Sequence, residues 1–173
     1  MRPLPQGRII DHCRHDLDMD VVLGATPEFL GRKPSVDDVE QALGMYGIWN
    51  TARGQVTDDG EMTLALLQAL AGQGRCDVSR AAWAYRHWYL GEPFDIGNAN
   101  ALEDGDPDRP NLAEFITRRA LMFNSESKAN GSLMRATPLG VWSAVALEEA
   151  VDAARADARL TRPNPSCQWS TAA

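Results

Sequence analysis

The chain has 173 residues, 44% of them hydrophobic, three cysteines and a formal net charge of −7. That length and hydrophobic content allow one domain with a sizeable core, and the acidic excess leaves no basic face to track nucleic-acid phosphates. Cys13, Cys76 and Cys167 are widely spaced with no Cys-x-x-Cys pair, no apolar run approaches the length of a membrane span, and the N-terminus lacks the basic-then-apolar order of a signal peptide; the simple reading is a reduced, cytoplasmic protein.

Pro3, Pro5 and Gly7 discourage regular structure in the first twenty residues. His12, Cys13 and His15 invite a metal reading, but no further ligands are fixed nearby, and Asp16, Asp18 and Asp20 read as a solvated face. Gly31 and Pro34 are turn signals, after which Ser35 is the N-cap of a helix to about Leu43, with Asp37 and Asp38 in its first turn. Gly44, Gly47 and Gly54 then make a loop that delivers the chain to Thr57.

Thr57, Asp58 and Asp59 open the most telling stretch. From Met62 to Ala71 nearly every residue is apolar or small, so the helix is expected to be buried on most of its surface, with its N-terminus inside the protein. Asp58 with Glu61 fits a capping box, for which one carboxylate suffices. Two neighbouring carboxylates in a buried place repel unless a cation or proton lies between them, and oxygen-only donors favour Mg²⁺ or Mn²⁺ over zinc. On residue types alone, a capping Asp58 beside a solvated Asp59 is the favoured reading.

The central helix is expected to stop at Gly72 or Gly74. Ser79 can cap a helix through about Leu90 with Trp83, His87 and Leu90 on its packed face and Arg80 and Arg86 in solvent; His87, with no His or Cys at i±3 or i±4, reads as a core histidine. Gly91 to Pro110 is the longest loop-like stretch. Asp104, Asp106 and Asp108 copy the opening of a calcium loop, but Arg109 replaces its obligatory glycine and Phe115 its final glutamate. Asn111 with Glu114 marks a capping box and a helix to about Phe123.

Asn124 to Thr137 is rich in Ser, Asn and Gly, a composition able to turn backbone N–H groups toward an anion or to form a plain surface loop. Leu139 to Leu160 reads as helix with Leu147, Val151 and Ala154 on one stripe; Thr161 to Pro165 breaks it, and Ser166 caps a last helix. Helical periodicity dominates and alternating β-branched runs are scarce, which predicts an all-α domain without a sheet.

Thr57-Asp58-Asp59-Gly60-Glu61-Met62-Thr63-Leu64-Ala65 resembles the first metal motif of the ADP-ribosylglycohydrolase family, which includes the hydrolases that reactivate ADP-ribosylated dinitrogenase reductase. Ser127-Lys128-Ala129-Asn130-Gly131-Ser132-Leu133-Met134-Arg135 is similar to its Asn-Gly-x-x-Met-Arg segment, which cradles the diphosphate of ADP-ribose. Phe94-Asp95-Ile96-Gly97-Asn98 fits between them, and Leu160-Thr161-Arg162-Pro163-Asn164-Pro165 resembles a Leu-Thr-His-Pro-Asn-Pro turn. The resemblance runs from about residue 20 to residue 169.

That resemblance implies an orthogonal multi-helix fold and hydrolysis of the glycosidic bond between ADP-ribose and a modified side chain, with Mg²⁺ or Mn²⁺ in a two-metal site. Thr57, Asp58 and Asp59 would be metal ligands. Glu28, Asp58 and Asp59 would form the catalytic set, with Glu28 as a glutamate that closes over the substrate. Ser127, Lys128, Asn130 and Gly131 would hold the substrate. The chain departs from the family where its Gly-Asp pair falls on Asp20 and Val21, where Arg162 replaces the histidine, and where the C-terminal Gly-Asp-Thr-Asp-Thr is absent. The expectation is a C-terminally truncated single domain resembling the N-terminal half, with weak metal binding. It would be either a hydrolase active when complemented, or a non-catalytic ADP-ribose-binding or structural remnant. Expected partners are ADP-ribose or an ADP-ribosylated protein, and a second copy or a complementing C-terminal half.

Overall fold

A computed structural model describes residues 31–33, 35–38, 55–71, 75–97 and 99–173. Glu28, Gly24, the Asp20-Val21 departure and the His12-Cys13-His15 group lie outside these residues, as do Gly72, Gly74 and most of the helix expected after Ser35. The start of that helix is described. Ser35 Oγ accepts from the Asp38 N–H at 3.3 Å, and Asp38 Oδ2 accepts from the Ser35 N–H at 2.7 Å, so residues 36–38 open under a reciprocal cap.

Beyond that turn, the described residues form six α-helices and one 3-10 turn, with no strand, as the helical periodicity predicts: α1 (Asp58–Ala71), α2 (Val78–Leu90), the 3-10 turn Asn100–Leu102, α3 (Leu112–Asn124), α4 (Thr137–Ser143), α5 (Leu147–Thr161) and α6 (Pro165–Ala172). No described helix is long and apolar enough to cross a membrane. α1 packs chiefly on α2 and also on α4; α5 sits at the centre, touching α2, α3, α4 and α6. On α1 Leu64 is 38% exposed and Gln68 and Ala71 are exposed, so the helix buries one broad face and not most of its surface as expected; Met62, Thr63, Ala65, Leu66, Ala69 and Leu70 are the buried residues. Each large side chain so placed contributes about 1.5–3 kcal/mol over leaving it exposed.

Two helices turn a different face inward from the one their large apolar residues suggest. On α2 the buried set is Ala81, Ala82, Ala84, Tyr85 and Arg86, while Trp83, His87 and Leu90 are exposed. His87 is therefore a surface residue, stacked on Trp83 with ring centroids 3.8 Å apart, and not a core histidine. Arg86 goes inside because its Nε donates to the Gly105 carbonyl at 3.0 Å. On α5 the inward stripe is Ala150, Ala154, Asp157 and Ala158, and Leu147 is 74% exposed. In both helices alanines let neighbouring backbones approach closely, and the larger residues are displaced outward.

The expected helix from Leu139 to Leu160 is two helices. Ala144, Val145 and Ala146 donate to carbonyls three residues back, a 3-10 tightening that ends α4 before α5 begins. Caps also shift. Asp77, not Ser79, caps α2, accepting from the Ser79 N–H at 2.9 Å. Asn164, not Ser166, caps α6, accepting from the Ser166 N–H at 3.0 Å. Asn111 precedes α3 as expected, but its Oδ1 accepts from Arg109 Nε, and Glu114 pairs with Arg118. Inside the long 91–110 loop, the 3-10 turn seats Ala101 and Leu102 in the core. Asp104 pairs with Arg119 at 2.6 Å, and Asp106 accepts from the Asp108 N–H.

Candidate active site

The chain enters α1 through Gln55 and Val56 and is capped by Thr57, whose backbone carbonyl accepts from the Glu61 N–H at 3.0 Å and whose Oγ1 accepts from the Asp59 N–H at 3.4 Å. The cap thus falls one residue earlier than the capping box places it. Glu61 is released from capping and accepts from the Trp88 indole N–H at 2.6 Å. Asp58 and Asp59 occupy the first two helical positions, both half-buried, at the partially positive end of the helix. Gly97 approaches from the 91–110 loop. It has φ +45°, and a Cβ there would stand 3.6 Å from Asp58 Oδ2. The backbone conformation calls for glycine, and it brings Gly97 against the first acid.

The loop after α3 is sewn to α5 and α6 from beneath. Asn124 Nδ2 donates to the Thr161 carbonyl at 3.1 Å, and Asn164 Nδ2 donates to the Ser125 carbonyl at 3.0 Å. The carbonyls of Ser127 and Ala129 both turn inward to the buried Cys167 Sγ, at 3.5 and 3.6 Å. In a trans peptide the N–H points opposite to the C=O, and no described peptide is cis. The N–H groups of Lys128 and Asn130 therefore face outward, on a segment whose Lys128, Ala129 and Asn130 are exposed. The Ala129 N–H between them donates to Ser127 Oγ at 3.4 Å, which leaves the two alternate amides to meet an anion.

Behind the loop lies a charge cluster that the sequence did not reveal. Arg135 is fully buried. Its Nε donates to Asp157 Oδ2 at 3.1 Å and its Nη2 to the Asp157 carbonyl at 3.1 Å; its Nη1 donates to the Gly131 carbonyl at 2.6 Å and to Thr161 Oγ1 at 2.8 Å. The guanidinium lies 4.4 Å from the Tyr85 ring centroid, and Tyr85 Oη donates to Asp157 Oδ1 at 2.7 Å. Burial opposes the Arg135 charge most, but Asp157 and Tyr85 together outweigh it, and the guanidinium is held above its usual value. Burial pushes the Tyr85 hydroxyl well above the usual phenol range. Met134-Arg135 marks a structural tie from the loop to α5, not a substrate contact. The available signal was Asp157, an acid on the small-residue face of an alanine-rich helix.

Arg162 packs against the loop from the end of α5. It is 6% exposed, its backbone N–H donates to the Ala158 carbonyl at 2.7 Å, and its Nη1 donates to the Thr161 carbonyl at 3.1 Å. The guanidinium lies flat on Gly131, where a Cβ would meet Nη2 at 2.9 Å and Cζ at 3.0 Å. Only glycine leaves room for it. Burial lowers the Arg162 guanidinium below its usual value and the Arg135 charge adds to this, while Cys167 and the Asp58 carboxylate oppose it.

The structure thus brings Gly97 against Asp58 in the first turn of α1 and packs Arg162 on Gly131. Ser127, Lys128 and Asn130 belong to the same loop as Gly131, whereas Glu28 lies outside the described residues. The sequence model of a family described as ADP-ribosylglycohydrolase matches residues 21–173. The chain belongs to the ADP-ribosylglycohydrolase family. It is 34% identical over 121 residues, 65% of its length, to a protein named as an ADP-ribosyl glycohydrolase in Acanthamoeba polyphaga mimivirus, covering 35% of that protein. It is 27% identical over 155 residues, 83% of its length, to the ADP-ribosyl-(dinitrogen reductase) glycohydrolase of Rhodospirillum rubrum, covering 47% of that protein. The chain therefore spans between about a third and a half of the length of these relatives.

For this ADP-ribosylglycohydrolase-family chain, the donor chemistry at the head of α1 fits a hard divalent cation: two carboxylates and a hydroxyl within three residues, all oxygen. The number of donors is small. Among the described residues no group of three or more His, Cys, Asp or Glu comes together as a metal site.

Proposed function

We propose that this chain supplies the diphosphate-holding loop and the first acid set of an ADP-ribosylglycohydrolase, hydrolysing the bond between ADP-ribose and a modified side chain of a cytoplasmic protein. The observation that carries this reading is the 127–130 loop, whose Ser127 and Ala129 carbonyls turn inward so that the Lys128 and Asn130 N–H groups face outward, in a chain whose α1 opens on Thr57, Asp58 and Asp59. The amides of Lys128 and Asn130, with Ser127 beside them, would hold the diphosphate, and Gly131 lets Arg162 lie beneath. Thr57, Asp58 and Asp59 would hold Mg²⁺ or Mn²⁺, and Glu28 would close over the ribose. When bound, the cation supplies a Lewis acid for the ribose hydroxyls and the attacking water. Ligands beyond these three would come from water, from elsewhere in the chain or from a second chain. By the name of its Rhodospirillum rubrum relative, ADP-ribosylated dinitrogen reductase is the substrate to try first. Neither nucleic acid nor membrane enters this reading.

A second reading, ADP-ribose binding without hydrolysis, is favoured by the small donor count. Calorimetry with ADP-ribose and chromatography of ADP-ribose released from the modified protein in Mn²⁺ separate the two. Release that chelation and Asp58→Asn both abolish supports the hydrolase. Binding without release supports the second reading. Absence of binding overturns both.

A further inference from the structure

We infer that one stripe of α6, formed by its cap Asn164 with Cys167 and Thr171, is the template that orients the Lys128 and Asn130 amides, and that Cys167 is a positioning residue for the anion they meet. These side chains recur at helical spacing and so lie along a single face. Each holds a successive part of the loop. Asn164 Nδ2 donates to the Ser125 carbonyl at 3.0 Å, and the buried free thiol of Cys167 stands 3.5 Å from the Ser127 carbonyl and 3.6 Å from that of Ala129. Farther along, the Thr171 and Ser132 hydroxyls meet at 2.9 Å. Thr171 spends its own proton on the Cys167 carbonyl at 2.8 Å, so Ser132 is the donor of that pair. The loop therefore runs along α6 from its cap toward its last turn.

α6 can serve as a template because it is itself fixed to α5. Arg159 Nε donates to Gln168 Oε1 at 2.9 Å, Gln168 Nε2 donates to the Pro163 carbonyl at 2.6 Å, and the Arg155 guanidinium lies 4.4 Å from the Trp169 ring centroid. At the middle of the loop two carbonyl oxygens converge on one sulfur, and the thiol proton is the donor placed between them. Without it, two acceptor dipoles would point at the same buried spot with nothing to satisfy them. Rotation of either peptide would relieve that arrangement, and each such rotation turns a carbonyl outward and an amide inward. Cys167 thus acts through the Ser127 and Ala129 peptides, keeping both amides available to an anion.

The inference rests on the proposed diphosphate role of the loop only for its ligand arm, so two measurements are needed. The first is nuclear magnetic resonance of the ligand-free full chain. Cys167→Ala should shift the carbonyl carbons of Ser127 and Ala129 and the amides of Lys128 and Asn130, whereas Cys167→Ser, which keeps a donor in the same place, should leave them near the parent. Unmoved resonances in Cys167→Ala overturn the template. The second is calorimetry with ADP and with adenosine, well below the melting temperature of each variant. Cys167→Ala should bind ADP about tenfold more weakly than the parent with adenosine unchanged, and Cys167→Ser should restore ADP binding to within about twofold. Equal losses for both ligands, or no rescue by serine, would mark Cys167 as packing alone and overturn the positioning role. Thr171→Val, which keeps the shape and removes the hydroxyl, serves where Cys167→Ala does not fold. It should weaken ADP binding about threefold, and an unchanged affinity there counts against the stripe as a template. If the parent binds no ADP, the diphosphate reading of the loop fails, and the carbonyl and amide resonances alone decide the template.

Discussion

Two arginines lie one helical turn of α5 apart in their anchoring and have opposite surroundings. Arg135 is closed off: Asp157, Thr161, the Gly131 carbonyl and the Tyr85 face complete its shell inside the core. Arg162 is nearly as buried, but it lies against a glycine at the end of an exposed loop. The first arrangement is saturated and can only hold elements together. The second borders solvent and outward-facing amides, and can take part in binding. The difference shows that burial of a charge does not mark a functional site; what marks it is whether the surrounding polar groups point toward one another or toward solvent.

The largest expected effect comes from breaking the closed cluster. Arg135→Met strands Asp157 in the core and should cost about 3–5 kcal/mol in urea or thermal unfolding. A loss below about 1 kcal/mol would mean that the cluster is not the tie described. Gly131→Ala comes next. The added methyl meets the Arg162 guanidinium, and overpacking should cost about 1–3 kcal/mol. That change should also weaken ADP-ribose binding, because it disturbs the loop; a stability loss with unchanged binding would separate Gly131 from the site.

The alkaline limb tests the closed cluster without truncating its charges. The Tyr85 hydroxyl is raised well above 10.0 and the Cys76 thiol from 9.0 to about 12, both chiefly by burial. The folded state then holds protons that the unfolded chain has lost, so their contribution is complete below about pH 9 and is lost as pH rises toward and beyond 12. The melting temperature should fall steadily from pH 9 to 11, with Cys76→Ala flattening the first part and Tyr85→Phe the part above 10. An unchanged slope in Tyr85→Phe would contradict burial of that hydroxyl. Asn164→Ala removes the cap of α6 and the bond to the Ser125 carbonyl together, and about 1–2 kcal/mol is expected. The exposed Glu114–Arg118 pair sets the lower bound: Glu114→Gln should change stability by less than about 0.5 kcal/mol.

The helical class, a buried apolar face on α1 and the loop-then-helix order around Asn124 to Thr137 were legible in the sequence because they depend on local composition and period. So was the family, through short motifs whose order is fixed along the chain. The inward faces of α2 and α5 were not legible. Periodicity counts large apolar residues, but Ala82, Ala154 and Ala158 win the interior by permitting close approach, and Trp83 and Leu147 are left outside. The cap at Thr57 rather than Asp58, and the engagement of Glu61 by Trp88, likewise depend on a partner 27 residues away.

By itself, the sequence determined which residues carry oxygen at the head of α1, where the polar loop falls, and that helices and not strands would surround them. Only the tertiary structure decided that Arg135 is a tie and that Arg162 packs on Gly131, and that the Ser127 and Ala129 carbonyls turn inward so that the Lys128 and Asn130 N–H groups face out. These are consequences of long-range packing. A charge acquires its partner, and a peptide its orientation, from whichever groups the folded chain brings within hydrogen-bonding or Coulombic reach, and no local rule counts those in advance.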